Sequence, residues 1–254
     1  MFKAVIFDIG GVVLQSPFTA IAQYENKLGL PAHYINCSIT GRGRNGAWQR
    51  FERGELELFD FYKAFGHDLS DSSNGNIWYK EYCERRGFPC PELPQKLDID
   101  GRELFGAMMQ ATKHYEPYMR SAIWRLRAAG KYRIIALTNN FAKIDVPAEE
   151  RDFLGWNQGT IPDHLRALFD DFCDSSVYGL RKPEPEFYLL ACKRNGIKPS
   201  EAIFLDDIGL NLKAAKALGM ETILVVIGKT LEAVKELEKK VGLDLTSPAL
   251  DSRL

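Results

Sequence analysis

The segment FKAVIFDIGGVV (residues 2–13) places a carboxylate directly after a short apolar run. The run of valine, isoleucine and phenylalanine ends at Asp8, and a glycine pair, Gly10-Gly11, then lets the backbone turn. An uninterrupted string of such residues is typical of a parallel strand that is covered on both faces. We therefore interpret Lys3–Phe7 as a buried strand that delivers Asp8 to one edge of a sheet.

Similar apolar runs recur later in the chain and predict three further strands: Tyr132–Leu137, Ala202–Leu205 and Thr222–Ile227. Patterns with a helical period lie between them, and a glycine suited to a helix end follows each pattern. The predicted helices are Tyr118–Ala129, Glu184–Asn195 and Asn211–Leu218. This alternation predicts an α/β fold with a doubly wound, Rossmann-like parallel sheet.

The region between the first strand and Pro117 carries no comparable strand pattern. Its apolar spacing instead predicts four helices: Thr19–Leu28, Ala47–Arg53, Leu58–Phe65 and Gly101–Thr112. The Cys90–Pro94 stretch is rich in proline and is expected to be non-helical. We predict an α/β core formed by residues 1–16 and 115–254, with a small α-helical cap, residues 17–114, inserted after the first strand.

The composition narrows the function classes. The 254 residues are 45% apolar and 26% charged, which is enough to bury a substantial core in a soluble globular protein. A net charge of −1 with no basic stripe argues against nucleic acid as a partner. No apolar run approaches the roughly 20 residues of a membrane span, and an acid as early as Asp8 argues against a signal peptide. Five scattered cysteines indicate a reducing setting.

Polar residues cluster at the predicted carboxyl ends of the strands and in one nearby loop. In an open parallel sheet these ends converge on one crevice, where ligands bind. The residues placed there are Asp8, Thr138-Asn139-Asn140, Arg181-Lys182-Pro183 and Asp206-Asp207.

Three aspartates in one crevice would repel one another, so we expect a bound cation among them. A ligand set made of oxygens alone suits Mg²⁺ better than zinc. Lys182, Thr138 and main-chain N–H groups could then hold a phosphoryl group against Asp8. This arrangement favours phosphoryl transfer, in which positioning and neutralisation of charge provide most of the catalysis.

The order of these motifs resembles that of the haloacid dehalogenase superfamily. The motifs are FDIGGV (7–12), LTNN (137–140), RKPEP (181–185) and FLDDIGLNLK (204–213). More narrowly, the chain is similar to the N-terminal phosphatase domain of soluble epoxide hydrolases and to a related domain of certain acyl-CoA dehydrogenase family members. The resemblance covers nearly the whole chain, and the helical insertion corresponds to the small cap of the family.

The resemblance implies a catalytic role for three residues. Asp8 would be the nucleophile that forms an aspartyl-phosphate and would also bind Mg²⁺. Thr138 and Asn139 would hold phosphate oxygens, and Lys182 would neutralise the charge on the nucleophile and on the phosphoryl group. The catalytic set is thus expected to be Asp8, Thr138 and Lys182.

The resemblance also implies a metal site and further contacts to the substrate. Asp207, aided by Asp206, would anchor the metal together with Asp8, and the main-chain carbonyl of Gly10 would complete the set. Gly10 and Gly11 are expected to border the phosphate, and Arg53 lies where the family places residues of the cap that face the substrate.

Gly10 departs from the usual family pattern, because most phosphatases of the family carry a second aspartate two positions after the nucleophile. That aspartate protonates the leaving group, and losing a general acid typically costs a factor of about 10² to 10⁴. Three interpretations stay open. The protein is a phosphatase of a small phosphorylated metabolite or lipid phosphate; or it is a weakly active or inactive member that binds a phosphate-bearing ligand or partner; or it is a metal-independent dehalogenase.

The chain closes with Ser252-Arg253-Leu254, which is similar to the peroxisomal address S-K-L. For a eukaryotic source it predicts a peroxisomal protein, and otherwise we expect a cytoplasmic one. A monomer or a homodimer is expected, with no membrane partner.

Overall fold

The computed structural model describes residues 1–140, 146–156 and 161–247. The predicted targeting tripeptide Ser252-Arg253-Leu254 therefore lies outside the described residues. Within the described part of the chain, no helix combines the length and the apolar character that a membrane span requires.

The core is a five-stranded parallel sheet with the strand order β3-β2-β1-β4-β5. Its strands are β1 (Ala4–Phe7), β2 (Arg133–Thr138), β3 (Asp171–Asp174), β4 (Ala202–Asp206) and β5 (Glu221–Leu224). The first strand of the chain lies at the centre, where Phe7 pairs with Ala136 on one side and with Leu205 on the other. The predicted α/β fold with a doubly wound parallel sheet is confirmed.

Helices surround this sheet and build the insertion that follows β1. They are α1 (Phe18–Lys27), α2 (Tyr34–Gly41), α3 (Ala47–Glu52), α4 (Leu58–Ser70), α5 (Ser72–Arg86), α6 (Gly101–Ala111), α7 (Pro117–Ala129), α8 (Ala148–Leu154), α9 (Asp163–Arg166), α10 (Ser175–Tyr178), α11 (Pro185–Arg194), α12 (Gly209–Ala217) and α13 (Thr230–Val241). Short 3₁₀ turns cover Gly43–Asn45 and Pro199–Glu201.

The two faces of the sheet bury alternate residues of each strand, as the period of two in a strand requires. In β1, Val5 and Phe7 pack into a cluster with residues of α7 and α13. Ala4 and Ile6 point the other way, into a cluster with residues of α11 and α12. Because both faces of the sheet are covered, its central strands appear in the sequence as continuous apolar runs.

The inserted helices α1–α6 have an apolar core of their own that is rich in aromatic rings. Phe51 and Phe61 are stacked with their ring centroids 4.1 Å apart. This core also takes up Val146, Leu154 and Trp156, which belong to or flank α8. Residues 146–156 lie in the predicted α/β part, so the side chains of that part contribute to the packing of the helical unit.

The structure contains elements that the sequence analysis did not predict. Strand β3 is only four residues long and begins and ends with aspartate, so it lacks a continuous apolar run. Helix α5 is polar on nearly all sides and therefore gives no amphipathic pattern. The predicted non-helical Cys90–Pro94 stretch is confirmed.

Candidate active site

The carboxyl ends of β1, β2 and β4 bring the predicted polar residues to one place. The main-chain N–H of Asp8 donates to Leu205 O at 2.9 Å, which continues the ladder between β1 and β4 beyond Phe7. Because Phe7 pairs with Leu205, the next residues, Asp8 and Asp206, stand side by side. Thr138 ends the strand on the other side of β1.

Lys182 lies between the two carboxylates at the centre of this site. Its Nζ donates to Asp8 Oδ1 at 2.8 Å and to Asp206 Oδ2 at 2.7 Å, and its side chain is 1% exposed. Burial disfavours the charged form of Lys182, but the two carboxylates outweigh this effect and raise its pKa. The ammonium is therefore held charged and fixed next to Asp8.

Asp206 has hydrogen-bond partners on both of its oxygens. Oδ1 accepts from the main-chain N–H of Ile208 at 2.8 Å, and both oxygens lie near Asn211 Nδ2, at 3.1 and 3.0 Å. Together with the bond from Lys182, these contacts give both oxygens of the fully buried Asp206 carboxylate a hydrogen-bond donor. Asp206 is thus suited to orient Lys182.

Asp207 differs from Asp206 because its buried Oδ1 has no hydrogen-bond partner among the described residues. Burial, followed by the charges of Asp8 and Asp206, raises the pKa of Asp207 well above its usual value. Burial also raises the pKa of Asp8 from 3.8 to about 7, against the opposing effect of Lys182. Both carboxyl groups therefore resist ionisation in the folded protein, first because they are buried and then because other aspartates lie nearby.

The donor set fits a hard divalent cation. One ligand oxygen from each of Asp8, Asp206 and Asp207 can be chosen so that all three lie within 4.8 Å of one another. Carboxylate oxygens are the preferred protein ligands of Mg²⁺. Asp207, whose buried Oδ1 is unpartnered, is the residue of this set with the clearest need for a ligand.

The loop after β2 is tied to the loop that carries Lys182. The side-chain amide of Asn139 accepts from the main-chain N–H of Lys182 at 2.7 Å and donates to its carbonyl at 3.0 Å. The Thr138 hydroxyl lies at the same loop, where it donates weakly to Asn139 O at 3.3 Å. The side chain of Asn139 is therefore already used, and a phosphate contact from Asn139 would come from its main chain.

The two glycines after Asp8 differ in what the structure demands of them. Gly11 has a φ of +82°, and a Cβ there would lie 2.3 Å from Asp207 Oδ2. Its N–H donates to Leu14 O at 2.8 Å, so it is not free for a phosphate in this conformation. At Gly10 a Cβ would meet only Pro17 Cδ, at 3.7 Å, which is an ordinary contact. A Cβ at position 10 is thus sterically allowed.

Arg53 lies where the cap meets the core, with its side chain only 3% exposed. Its Nε donates to Glu55 at 2.5 Å and its Nη2 donates to Arg44 O at 2.8 Å. Nη1 has no hydrogen-bond partner among the described residues and lies 4.0 Å from Glu184 Oε1. Nη1 of Arg53 is therefore available as a donor near the loop of Lys182. A contact between Arg53 and a substrate stays a prediction.

Two residues near the site were missed by the sequence analysis, Glu52 and Ser175. Glu52 belongs to a helix of the cap and Ser175 follows the unpredicted strand β3. Both are buried at the boundary between cap and core. Two signals in the sequence could have pointed to Glu52. It directly precedes Arg53, which was predicted to face the substrate, and an arginine, Arg181, directly precedes Lys182.

Comparisons with known proteins place the chain in a family. A family model for haloacid dehalogenase-like hydrolases matches residues 2–219. Acyl-CoA dehydrogenase family member 10 of Mus musculus is 33% identical over 96% of this chain and 20% of its own length. Bifunctional epoxide hydrolase 2 of Sus scrofa is 30% identical over 98% of this chain and 40% of its own length. The chain thus spans less than half the length of these two relatives.

A relative of similar size is a sesquiterpene phosphatase of Aspergillus oryzae, which is 26% identical over 95% of this chain and 97% of its own length. Among solved structures, a haloacid dehalogenase family enzyme from Bacteroides thetaiotaomicron, in complex with magnesium and inorganic phosphate, aligns with a TM-score of 0.52. It is 18% identical and covers 90% of this chain and 96% of its own, which is a likeness of fold. From the family match over most of its length, this chain belongs to the haloacid dehalogenase-like hydrolases.

Proposed function

We propose that the protein is a Mg²⁺-dependent phosphatase that hydrolyses a small phosphorylated metabolite or lipid phosphate through an aspartyl-phosphate. The observation that carries this proposal is the position of Asp8: it is held by Lys182 and lies in one cluster with the unpartnered carboxylate oxygen of Asp207. The phosphatase relative of similar length supports the same reaction class.

Asp8, Asp207 and the main-chain carbonyl of Gly10 are the residues that would hold the metal, with Asp206 beside them. When bound, Mg²⁺ supplies positive charge that neutralises the phosphate oxygens and screens them from the nucleophile. Asp206 is assigned mainly to Lys182, because its oxygens are already hydrogen-bonded.

The chemistry follows from the residues of this chain. Oδ2 of Asp8 attacks phosphorus and forms a new phosphorus–oxygen bond while the bond from phosphorus to the ester oxygen breaks, and the departing alkoxide takes a proton from water because Gly10 supplies no acid. The other oxygen of Asp8, Oδ1, is restrained by the Lys182 ammonium at 2.8 Å and by the N–H of Ile9 at 2.7 Å. The Thr138 hydroxyl and the main-chain N–H of Asn139 bind phosphate oxygens. Water then attacks phosphorus, which breaks the bond to Asp8 Oδ2, restores the carboxylate and releases inorganic phosphate.

A panel of phosphate esters tests this function. We expect release of inorganic phosphate from some of a set of aryl, acyl, sugar and lipid phosphates with Mg²⁺ present, and loss of this release with a chelator. Replenished Mg²⁺ should restore it. Turnover that is insensitive to chelation would contradict the proposal, and silence across the panel would favour a ligand-binding protein. Release of halide from a 2-haloacid without metal would instead indicate a dehalogenase.

Substitution of Gly10 by aspartate tests the missing proton donor. Because a Cβ at this position meets only an ordinary contact, we expect Gly10→Asp to fold normally. Turnover of alkyl phosphates, which have poor leaving groups, should rise by a factor of about 10 to 10², while that of an aryl phosphate should change little. Steady-state kinetics on a matched alkyl and aryl pair measures this. An equal change for both esters would show that protonation of the leaving group is not limiting.

The raised pKa of Asp8 predicts how pH controls metal binding. The native pKa of about 7 lies above the ordinary 3.8, so the metal-free folded state retains a proton that the unfolded state has lost. The stability that this proton contributes is complete below pH 3.8 and is lost as the pH rises through 7. Mg²⁺ competes with the proton, so its stabilisation of the protein should grow from pH 5.5 to pH 8.

Thermal unfolding with and without Mg²⁺ across this pH range checks the prediction. The increase in melting temperature on adding Mg²⁺ should be small at pH 5.5 and should be largest at pH 8. In Asp207→Asn the increase should be strongly reduced at every pH. A stabilisation by Mg²⁺ that is independent of pH would mean that Asp8 and Asp207 do not bind the ion.

A further inference from the structure

One residue of the cap, Glu52, contacts the core loop that carries Lys182 and also contacts Ser175, which is bonded to the loop after β2. Its Oε2 accepts from Arg181 Nε at 2.8 Å and lies 2.6 Å from Arg181 Nη2. Its main-chain carbonyl accepts from the Ser175 hydroxyl at 2.5 Å. Glu52 is the last residue of α3, so these contacts join that helix directly to the core.

The contact with Ser175 leads to the loop after β2. Ser175 is fully buried, and its Oγ accepts from the main-chain N–H of Asn140 at 2.9 Å. A single hydroxyl thus connects Glu52 of the cap to the main chain directly after Thr138 and Asn139. Any shift of α3 away from the core must break this connection or move the loop.

The contact with Arg181 leads to Lys182, which is the next residue in the chain. The main chain of Lys182 is held on one side by the amide of Asn139. On the other side Arg181 is held by Glu52, and the N–H of Arg181 also donates to Glu184 at 3.2 Å. The ammonium of Lys182 therefore reaches Asp8 from a loop that is fixed partly by the cap.

The pair is buried enough to control this geometry. The side chains of Arg181 and Glu52 are 16% and 6% exposed, so neither charge can be hydrated fully while the cap is in place. An ion pair with charge-assisted hydrogen bonds is strong under such conditions, and leaving one partner behind is costly. Close packing reinforces the contact, because a Cβ on Gly54 would lie 3.2 Å from Ser176 O.

We propose that Glu52 is a positioning residue through which the seated cap fixes the Lys182 ammonium and the phosphate-binding loop after β2. Phosphoryl transfer is then efficient only while Glu52 holds Arg181 and Ser175. This inference rests on the proposed phosphatase function for its kinetic consequence, but its structural consequence is independent of that function.

The test compares Glu52→Gln with a matched control, Glu150→Gln. Glu150 is also a buried carboxylate paired with an arginine, because it accepts from Arg102 Nη2 at 2.9 Å and from the Tyr62 hydroxyl at 2.7 Å. It has no contact with the loops of Lys182 or Thr138 among the described residues. Both substitutions keep the shape of the side chain and remove one charge from a buried pair.

Amide hydrogen exchange reports the structural consequence. In metal-free Glu52→Gln, the N–H of Lys182 should exchange at least about tenfold faster than in the parent protein, whereas the N–H of Asn140, which is linked through Ser175 to the main-chain carbonyl of residue 52, should change less. In Glu150→Gln they should exchange at the parental rate. With a small aryl phosphate, kcat of Glu52→Gln should fall about tenfold with KM changed less than about twofold, as expected for an interaction that acts in the transition state.

Parental exchange and parental kcat in Glu52→Gln would overturn the inference, as would equal changes in both variants. If the parent protein shows no turnover at all, the phosphatase function fails and the exchange rates alone decide the role of Glu52. Should Glu52→Gln not fold, Arg181→Gln removes the same ion pair from the other side, and the N–H of Lys182 must then exchange faster. Parental exchange in that variant would also overturn the inference.

Discussion

Asp8→Asn should abolish phosphatase turnover, with kcat reduced by a factor of about 10⁴ to 10⁶. The amide of asparagine has nearly the shape of the carboxylate but is not a nucleophile toward phosphorus. The substitution also removes one charge from the crowded site, so the folded state should persist. Phosphate release, measured together with circular dichroism, checks both expectations.

The control for this substitution is Asp171→Asn. Asp171 lies at the amino end of β3, which is an edge strand of the sheet. Asp171 is also partly buried and hydrogen-bonded, with Oδ1 accepting from Arg194 Nη2 at 2.8 Å, but it begins β3 and does not lie at the carboxyl ends of the strands. Turnover by the Asp171→Asn variant should stay within about threefold of the parent, because this substitution removes a charge far from the reaction. Substantial turnover by Asp8→Asn would show that another group attacks phosphorus.

Lys182→Met should lower both activity and stability. The substitution leaves the buried carboxylates of Asp8 and Asp206 without their shared counter-charge, and breaking a buried pair in this way costs about 3 to 5 kcal/mol. Turnover should fall by a factor of at least about 10³, because the same ammonium neutralises charge in the transition state. Urea unfolding without Mg²⁺ at pH 7.5 measures the free energy of unfolding.

The loss of stability should depend on pH in a defined direction. Asp8 has its pKa raised to about 7 with Lys182 present, and removing Lys182 raises that pKa further. Below pH 6 Asp8 is therefore protonated in the variant, so the loss of stability should be smaller at pH 5.5 than at pH 7.5. A loss that is equal at both pH values would mean that Lys182 does not balance these carboxylates.

Lys240→Met supplies a matched control, because Lys240 also bridges two carboxylates. Its Nζ lies 2.6 Å from Glu221 and 3.4 Å from Glu236, but the pair is at the surface and the lysine side chain is 25% exposed. Exposed pairs contribute about 0 to 1 kcal/mol, so this variant should unfold almost like the parent. The contrast isolates burial as the cause of the large effect at Lys182.

Much of the fold can be predicted from local sequence because the sheet is buried on both faces. Strands β1, β2 and β4 are continuous apolar runs, and each was predicted to within one residue of its observed bounds. Strand β3 was missed because four residues with aspartate at each end carry no such run. It becomes a strand through its pairing with β2, which is a tertiary effect.

The candidate site was predictable in part for the same reason. The carboxyl ends of parallel strands converge on one crevice where ligands bind, so Asp8, Thr138 and Asp206 could be placed together at that end of the sheet. The sequence could not tell apart the two adjacent acids. Only the structure shows that Asp206 is satisfied by Lys182 and its neighbours, whereas Asp207 keeps an unpartnered oxygen.

The contacts between cap and core lay beyond what the sequence shows. Glu52 and Arg181 are 129 residues apart, and neither lies in a pattern that marks a buried pair. Their pairing depends on how the helical insertion sits on the sheet. Long-range charge pairs of this kind are fixed by tertiary packing and have no local signature.

The most direct test of the phosphoenzyme mechanism is to quench the protein during turnover and to locate the phosphoryl group by mass spectrometry. Borohydride reduces an aspartyl-phosphate to homoserine, so the modified peptide identifies the nucleophile. The mechanism predicts homoserine at position 8, formed only when substrate and Mg²⁺ are both present. Turnover that leaves Asp8 unmodified, or a phosphoryl group trapped on another residue, would contradict it.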